Sequence, residues 1–312
     1  MIGPTPTVHA ANSTPLLGAA SLGAVLLAWS FGPTLSKQVT THPVVSCAVR
    51  MVTAAVLQWM VCLVLKISPS RALLRKAALP GALFCINNIF FFVALGHASV
   101  ATTSLLTSLQ PIVVLFVAQP LFGERVTLWD VSWTVVALGG AAVAVIGANA
   151  GRKTVPTSAL GVLFALGSML AFSGYFLVGK LQNSHATEAP PNPFTYMTAI
   201  LTSSAATSVP ILLFWGRAGD VARINRHQAF ALSLVIVIPT IGHLFMTFSH
   251  RHVDASVSSL VLLVQPITSA LVAWWILHQR VVPAQGVGGL IVVAGIAAVT
   301  LRKRSRAAAA MH

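Results

Sequence analysis

Two glutamine–proline pairs, Gln110-Pro111 and Gln265-Pro266, sit in the middle of long apolar runs. A mid-helix proline removes one backbone donor and frees the carbonyl four residues earlier. Here those carbonyls belong to Thr107 and Leu262. The glutamine beside each proline adds a donor and an acceptor. The combination suits a kinked, polar cavity wall; the rival reading is a packing kink whose glutamine bonds between helices. Asn87-Asn88 and His243 are also mid-run, and polar groups at such depth face a bundle interior. They suit hydrogen bonds to a solute, or equally bonds that hold helices together. His243 is the one centrally placed group that titrates near neutral pH. Glu124, Asp130, Glu188, Asp220 and Asp254 all fall at run ends or in loops. A neutral, hydrogen-bonded histidine is the plainer expectation. Arg50 lies inside an apolar run, about 9 Å along a helix from its start at 1.5 Å per residue. It either snorkels to the interface or meets an anionic group of a solute. Trp29, Ser30, Ser173 and Tyr175 complete the candidates; the two aromatics could stack on an apolar solute or simply pack.

Other chemistries find no support. There is no HExxH and no mid-run aspartate, and Ser249-His250 are adjacent, which turns their side chains to different helix faces. Cys47, Cys62 and Cys85 form no CxxC and read as small buried hydrophobes. No metal, cofactor or enzymatic activity is expected.

The elements that would hold these residues follow from composition. The chain is 56% apolar and 8% charged, where soluble domains carry roughly 25% charge. Mean hydropathy is +0.85. Ten apolar runs approach spanning length: 16–36, 44–65, 77–95, 100–122, 128–148, 159–181, 193–215, 230–248, 255–277 and 283–301. A spanning helix needs about 20 residues. The runs do not alternate as barrel strands would, so an all-α integral membrane protein of ten transmembrane helices is predicted. The first run reads as a retained span, because no basic start precedes it as in a secretory signal.

The net charge of +14 does not imply nucleic acid. The basic residues lie between apolar runs and in the tail, where they hold loops on the cytoplasmic side and touch anionic lipid. With the N-terminus inside, Lys66, Arg71, Arg75, Lys76, Arg125, Lys180, Arg251 and the basic tail share one side. Lys37, Arg152, Lys153, Arg217, Arg223, Arg226 and Arg280 take the other. The bias modestly favours both termini inside, and a plasma (inner) membrane location is expected.

A search for self-similarity gives the runs an order. Ala28-Trp29-Ser30 with Lys37 matches Ala171-Phe172-Ser173 with Lys180, and Gly18 matches Gly161. Ser104-Leu105, Gln110-Pro111-Ile112 and Arg125 recur 155 residues later as Ser259-Leu260, Gln265-Pro266-Ile267 and Arg280. The same offset pairs Asn88 with His243. Five helices per copy is odd, so the second copy would enter the membrane the opposite way. Inverted repeats place a solute near the midplane between halves that rock. Three parts are expected: repeats over 15–148 and 159–302, and a basic cytoplasmic tail over 303–312. Asp254 and Ser99 are expected to N-cap their helices. Gly139-Gly140-Ala141-Ala142 and Gly286-Val287-Gly288-Gly289 permit close helix contact, within the bundle or in a homodimer.

A helix that starts near Ala98-Ser99, carries Gln110-Pro111 and closes with Leu121-Phe122-Gly123-Glu124-Arg125 resembles the EamA-type branch of the drug/metabolite transporter superfamily. The second copy departs at His278-Gln279, where that family has Gly-Glu. The resemblance covers about residues 15 to 302. It implies export or exchange of small organic metabolites, such as amino acids or related solutes, by alternating access. It also sets the first and sixth helices on the cavity.

Overall fold

The structure is a computed structural model that describes residues 15–36, 41–98, 103, 106–149, 158–184, 190–215, 218–277 and 282–309. Among them every regular element is helical. The first copy comprises α1 (Pro15–Ser36), α2 (Pro43–Val64), the short α3 (Arg71–Lys76), α4 (Ala78–His97), α5 (Gln110–Phe122) and α6 (Leu128–Asn149). The second comprises α7 (Ala159–Asn183), α8 (Pro193–Trp215), a 3-10 turn (Ala218–Arg223), α9 (Arg226–Ser249), α10 (Ala255–Val261), a 3-10 turn (Leu262–Val264), α11 (Gln265–Leu277) and α12 (Pro283–Ala309). Helix α12 continues through Lys303, so the residues expected as a tail begin inside a helix.

Among the described residues eight stretches are long and apolar enough to cross a membrane: α2, α4, α6, α7, α8, α9, α12 and the α10–α11 pair taken as one. Leu16–Gly32 of α1 and the whole of α5 are apolar but shorter. Phe214 is 92% exposed and Phe116 78%. Exposure of many large apolar side chains is unfavourable in water and natural against lipid. The interior is correspondingly rich in hydroxyls. Ser173, Ser204 and Thr247 are buried and donate to the carbonyl four residues back. Back-bonding of this kind satisfies a hydroxyl where no water is at hand.

Helix starts follow ordinary rules. α1, α2, α8 and α12 open on proline, whose missing N–H is not needed in a first turn. Ser158 caps α7 by accepting from the Gly161 N–H, and Asn225 with Gln228 forms a capping box on α9. At the Gln-Pro pairs, where a mid-helix proline was expected, the regular α-helix is interrupted just before the glutamine. α5 starts at Gln110, with Pro111 in its first turn, and α11 starts at Gln265 after a 3-10 turn. The tightened turns carry three-residue bonds, Leu109 N–H to Leu106 O and Gln265 N–H to Leu262 O. The chain has resolved the lost donor by breaking the helix.

The two copies interlock by exchange. α1 packs on α9, and its repeat mate α7 packs on α4. A Cβ on Gly18 would lie 3.2 Å from His252 Cβ, and one on Gly161 would lie 2.8 Å from Ala98 Cβ and closer still to the His97 carbonyl. His97 and His252 are partners in the 155-residue register. The α6–α12 pair repeats the pattern. A Cβ on Gly140 would meet the Gly288 carbonyl at 2.7 Å, and one on Gly295 would meet the Trp133 carbonyl at 3.0 Å. The register carries 133 to 288 and 140 to 295. Even the lead-in turns agree: Asp130 accepts from the Thr127 N–H and Gln285 from the Val282 N–H. α2 and α8 face each other across the middle, with Met51, Ile200 and Met197 fully buried there.

The glycine runs thus join α6 to α12 within one chain. A Cβ on Gly139 would meet nothing within 4 Å. Gly139→Ala is therefore expected to be neutral or to stabilise by up to about 1 kcal/mol through helix propensity. Gly140→Ala should destabilise by about 1–3 kcal/mol through overpacking. Thermal melting of the two variants in detergent measures the contrast.

Candidate functional site

The middle of the bundle holds a connected cluster built from four helices. His243 on α9 is its hub. Its ring lies 4.6 Å from that of Trp29 on α1, 4.6 Å from Phe84 on α4 and 5.7 Å from Tyr175 on α7. The Tyr175 hydroxyl stands 3.2 Å from His243 Nδ1. Either the hydroxyl donates to a bare Nδ1 or a protonated Nδ1 donates to it. Phe172 closes the wall, 5.9 Å edge-on from Trp29 and 6.0 Å from Tyr175. Trp29 is held from behind: its Nε1–H donates to the Pro239 carbonyl at 3.2 Å. Gly242 makes room, since a Cβ there would lie 2.5 Å from the indole.

Arg50 enters this cluster from α2. Its Nη1 donates to Asn88 Oδ1 at 3.0 Å, and Asn88 Nδ2 donates to the Phe84 carbonyl at 2.8 Å. The snorkelling alternative is thereby set aside, because the guanidinium turns inward to α4. Of the sequence candidates, Trp29, Arg50, Asn88, Tyr175 and His243 come together. Others serve the scaffold. Asn87 Nδ2 donates to the Ser168 carbonyl and hydroxyl on α7. Ser173 bonds its own helix. Ser30 sits 2.5 Å from Thr268, which in turn donates to the Gln265 carbonyl, so α1 is tied to the break before Pro266. Gln110 is buried, and its Nε2 has no partner among the described residues. Pro111 is buried beside it. Phe84, Phe172 and Pro239 were not singled out from sequence. The repeat holds the missed signal, since Phe172 is the mate of Trp29 and the register carries 84 to 239.

A second polar assembly lies at one end of the bundle. Glu124 follows Gly123, whose φ of 66° turns the chain out of α5. The carboxylate accepts from the Ala255 and Ser256 N–H groups at the start of α10, at 2.7 and 3.3 Å. Lys303 on α12 pairs with Glu124 and with Asp254, both at 3.2 Å. Lys180, buried at the end of α7, donates to the His250 carbonyl at 2.6 Å and to that of Val253. Asp254 makes no capping bond with its own side chain. The expected N-cap is corrected: Glu124 supplies it from 131 positions away, leaving Asp254 to Lys303. Ser99, Lys37, His278 and Gln279 lie outside the described residues. Arg251 donates to the Pro191 carbonyl and Gln182 to that of Lys76. Lys76, Lys180, Arg251 and Lys303 therefore gather at one end.

Cys47, Cys62 and Cys85 are buried and unpaired. Ser249 donates to Met246 O, on its own helix. No group of three or more His, Cys, Asp or Glu side chains able to hold a metal occurs among the described residues.

A family model described as the EamA-like transporter family matches residues 16–146 and again 159–301. None of the curated proteins compared with the chain matches it. A solved structure titled only as the crystal structure of a protein superimposes with a TM-score of 0.75 at 17% identity, covering 92% of this chain and 98% of its own. At that identity the likeness is one of fold alone.

His250 supplies a pH test of this end. Burial, then the nearby Lys180 charge, lowers its pKa from 6.5 to about 3. The folded protein holds it neutral, while the unfolded chain takes up a proton below pH of about 6.5. Stability should thus fall as pH drops from 7 to 5, by up to about 1.4 kcal/mol per unit. Melting curves of wild type and His250→Asn check this, with a shallower slope expected in the variant.

Proposed function

Because the chain belongs to the EamA-like transporter family, we propose that this integral membrane protein moves a small organic solute by alternating access between two inverted five-helix halves. Eight spans with α1 and α5 make ten helices. Five per half reverses the second copy in the membrane. The exchanged contacts support that arrangement, since each half seats the other half's first helix.

The observation that carries the proposal is the central cluster. Trp29 and Phe172 exchange under the repeat, and so do Asn88 and His243. Trp29 and Phe172 touch. The cluster therefore lies where the halves meet, the place at which inverted repeats hold a solute. Gln110, buried with its amide nitrogen unpartnered among the described residues, and Gln265 beside the second helix break stand ready to line the path as the halves move. Both helix breaks interrupt the backbone ladder next to that path, and irregular backbone at membrane depth is tolerated where it lines a cavity.

The Glu124–Lys303–Asp254 assembly acts as the latch of the closed end. It links α5, α10 and α12. The register gives Gln279, Ser99 and Ala148 as its counterparts, none of them charged. With basic loops gathered at the latched end, this end faces the cytoplasm, the chain sits in the plasma (inner) membrane, and the solute leaves the cell or is exchanged. Anionic lipid contacts the basic residues of α12.

Proteoliposomes holding the purified chain should show uptake or counterflow of some member of a panel of amino acids, sugar phosphates, nucleotide sugars and amphipathic drugs. Absence of flux across the panel by monodisperse protein would overturn the reading. A Gln110→Ala/Gln265→Ala double variant should remain folded and lose most of that flux. Glu124→Gln should weaken the latch by roughly 1.5–3 kcal/mol. A cysteine placed at the buried Ser259 of α10 should then react with a maleimide several-fold faster than in the Glu124 parent.

A further inference from the structure

We propose that Arg50 is the docking point for an anionic group on the transported solute, so that this protein selects small organic monoanions. The inference rests on the transporter reading above and names the solute class for the same central site.

The argument starts from cost. An arginine within a span is unfavourable by roughly 2.5–3.5 kcal/mol on insertion scales, and inside a protein it is held by a counter-ion or a rich set of acceptors. Among the described residues Arg50 has neither. Of the acids among the described residues, Glu124 and Asp254 are engaged with Lys303 at one end of the bundle. Asp130 accepts from the Thr127 backbone and hydroxyl. Asp220 belongs to the 3-10 turn that follows α8. The five N–H donors of the guanidinium meet one side-chain acceptor, the neutral Asn88 Oδ1.

Asn88 is itself oriented. Its Nδ2 is committed to the Phe84 carbonyl, which turns Oδ1 to the guanidinium and fixes the arginine in place. Arg50 is half-buried, and among the described residues only Asn88 bonds its fork. A carboxylate meets such a fork through two parallel bonds, the strongest neutralising contact available to it. The residue that anchors Asn88 also carries the apolar side of the site: the Phe84 ring contacts both Tyr175 and His243. A solute with one anionic group and a compact apolar body would place the charge on Arg50 and the body against these rings.

The repeat limits the charge number. The second-half counterpart of Arg50 falls at Ile200, which is fully buried and apolar, and the counterpart of Asn88 is His243. The cluster thus offers one permanent cation, matched to one anionic group.

The test uses the full chain in phosphatidylcholine proteoliposomes. Counterflow is measured for carboxylates with short aliphatic, branched and aryl bodies, each paired with its amide and its amine analogue. Uptake of at least one carboxylate should exceed that of its amide and amine about tenfold or more. Arg50→Gln should abolish that preference, and Arg50→Lys, which keeps the charge and loses the fork, should retain part of it. Equal or faster flux of amides or amines in the wild type overturns the anion assignment while leaving transport intact. So does a folded Arg50→Gln that carries carboxylates at the wild-type rate. Flux of no member at all counts against the transporter reading and this inference together. Should Arg50→Gln not fold, the wild-type ranking of carboxylate against amide decides.

Discussion

Lipid offers no hydrogen bonds, and most of what is distinctive in this molecule answers that fact. Hydroxyls inside the helices bond back to their own turns, as Ser173 and Thr247 do. Four helices open on proline, where a donor is not needed, and two more prolines follow the helix interruptions. Asn87 and Ser168 satisfy each other across α4 and α7. The charged residues at the latched end obey the same demand. The first N–H groups of α10 meet the Glu124 carboxylate, and carbonyls beyond the end of α9 meet the Lys180 ammonium. A carboxylate at a helix N-terminus and an ammonium past a C-terminus both align with the helix dipole. Both are worth more with water excluded.

Against that background, the few polar groups with incomplete partners gain meaning. Arg50 and Gln110 sit at depth with donors that the described residues do not fully meet. A packed soluble core would carry a penalty for each. A protein that admits a solute has reason to keep them, because the solute completes the set. The aromatic rings around His243 give such a solute an apolar wall, and the rigid seat of Trp29 against Gly242 and Pro239 holds that wall in register.

The near-symmetry of the halves and their chemical inequality serve different ends. Backbone contacts repeat closely: Gly18 with Gly161, Gly140 with Gly295, Thr127 with Val282. These set how the helices pack. Several side chains with charge do not repeat. Glu124 answers to Gln279, Asp254 to Ser99, and Arg50 to Ile200. One frame thus carries an ionic closure at a single end and a cation on a single side of the centre.

Much of this was legible in the chain itself. Apolar runs of spanning length, the duplicated Gln-Pro pairs and the 155-residue register are properties of spacing, and spacing survives folding because helices keep local order. The central candidates Trp29, Arg50, Asn88, Tyr175 and His243 could be named for the same reason, each being a polar or aromatic residue in an apolar stretch. Which of them meet was not legible, since their separations run to more than 200 positions and depend on how α1, α2, α4, α7 and α9 pack. Sequence could not tell that Arg50 turns inward, that Asn87 holds helices while its neighbour Asn88 holds the arginine, or that the capping carboxylate of α10 comes from Glu124 and not from Asp254. Local pattern determined the helices and the repeat; only the tertiary structure decided the partners, because a side chain's partner is set by distance across the bundle and not by distance along the chain.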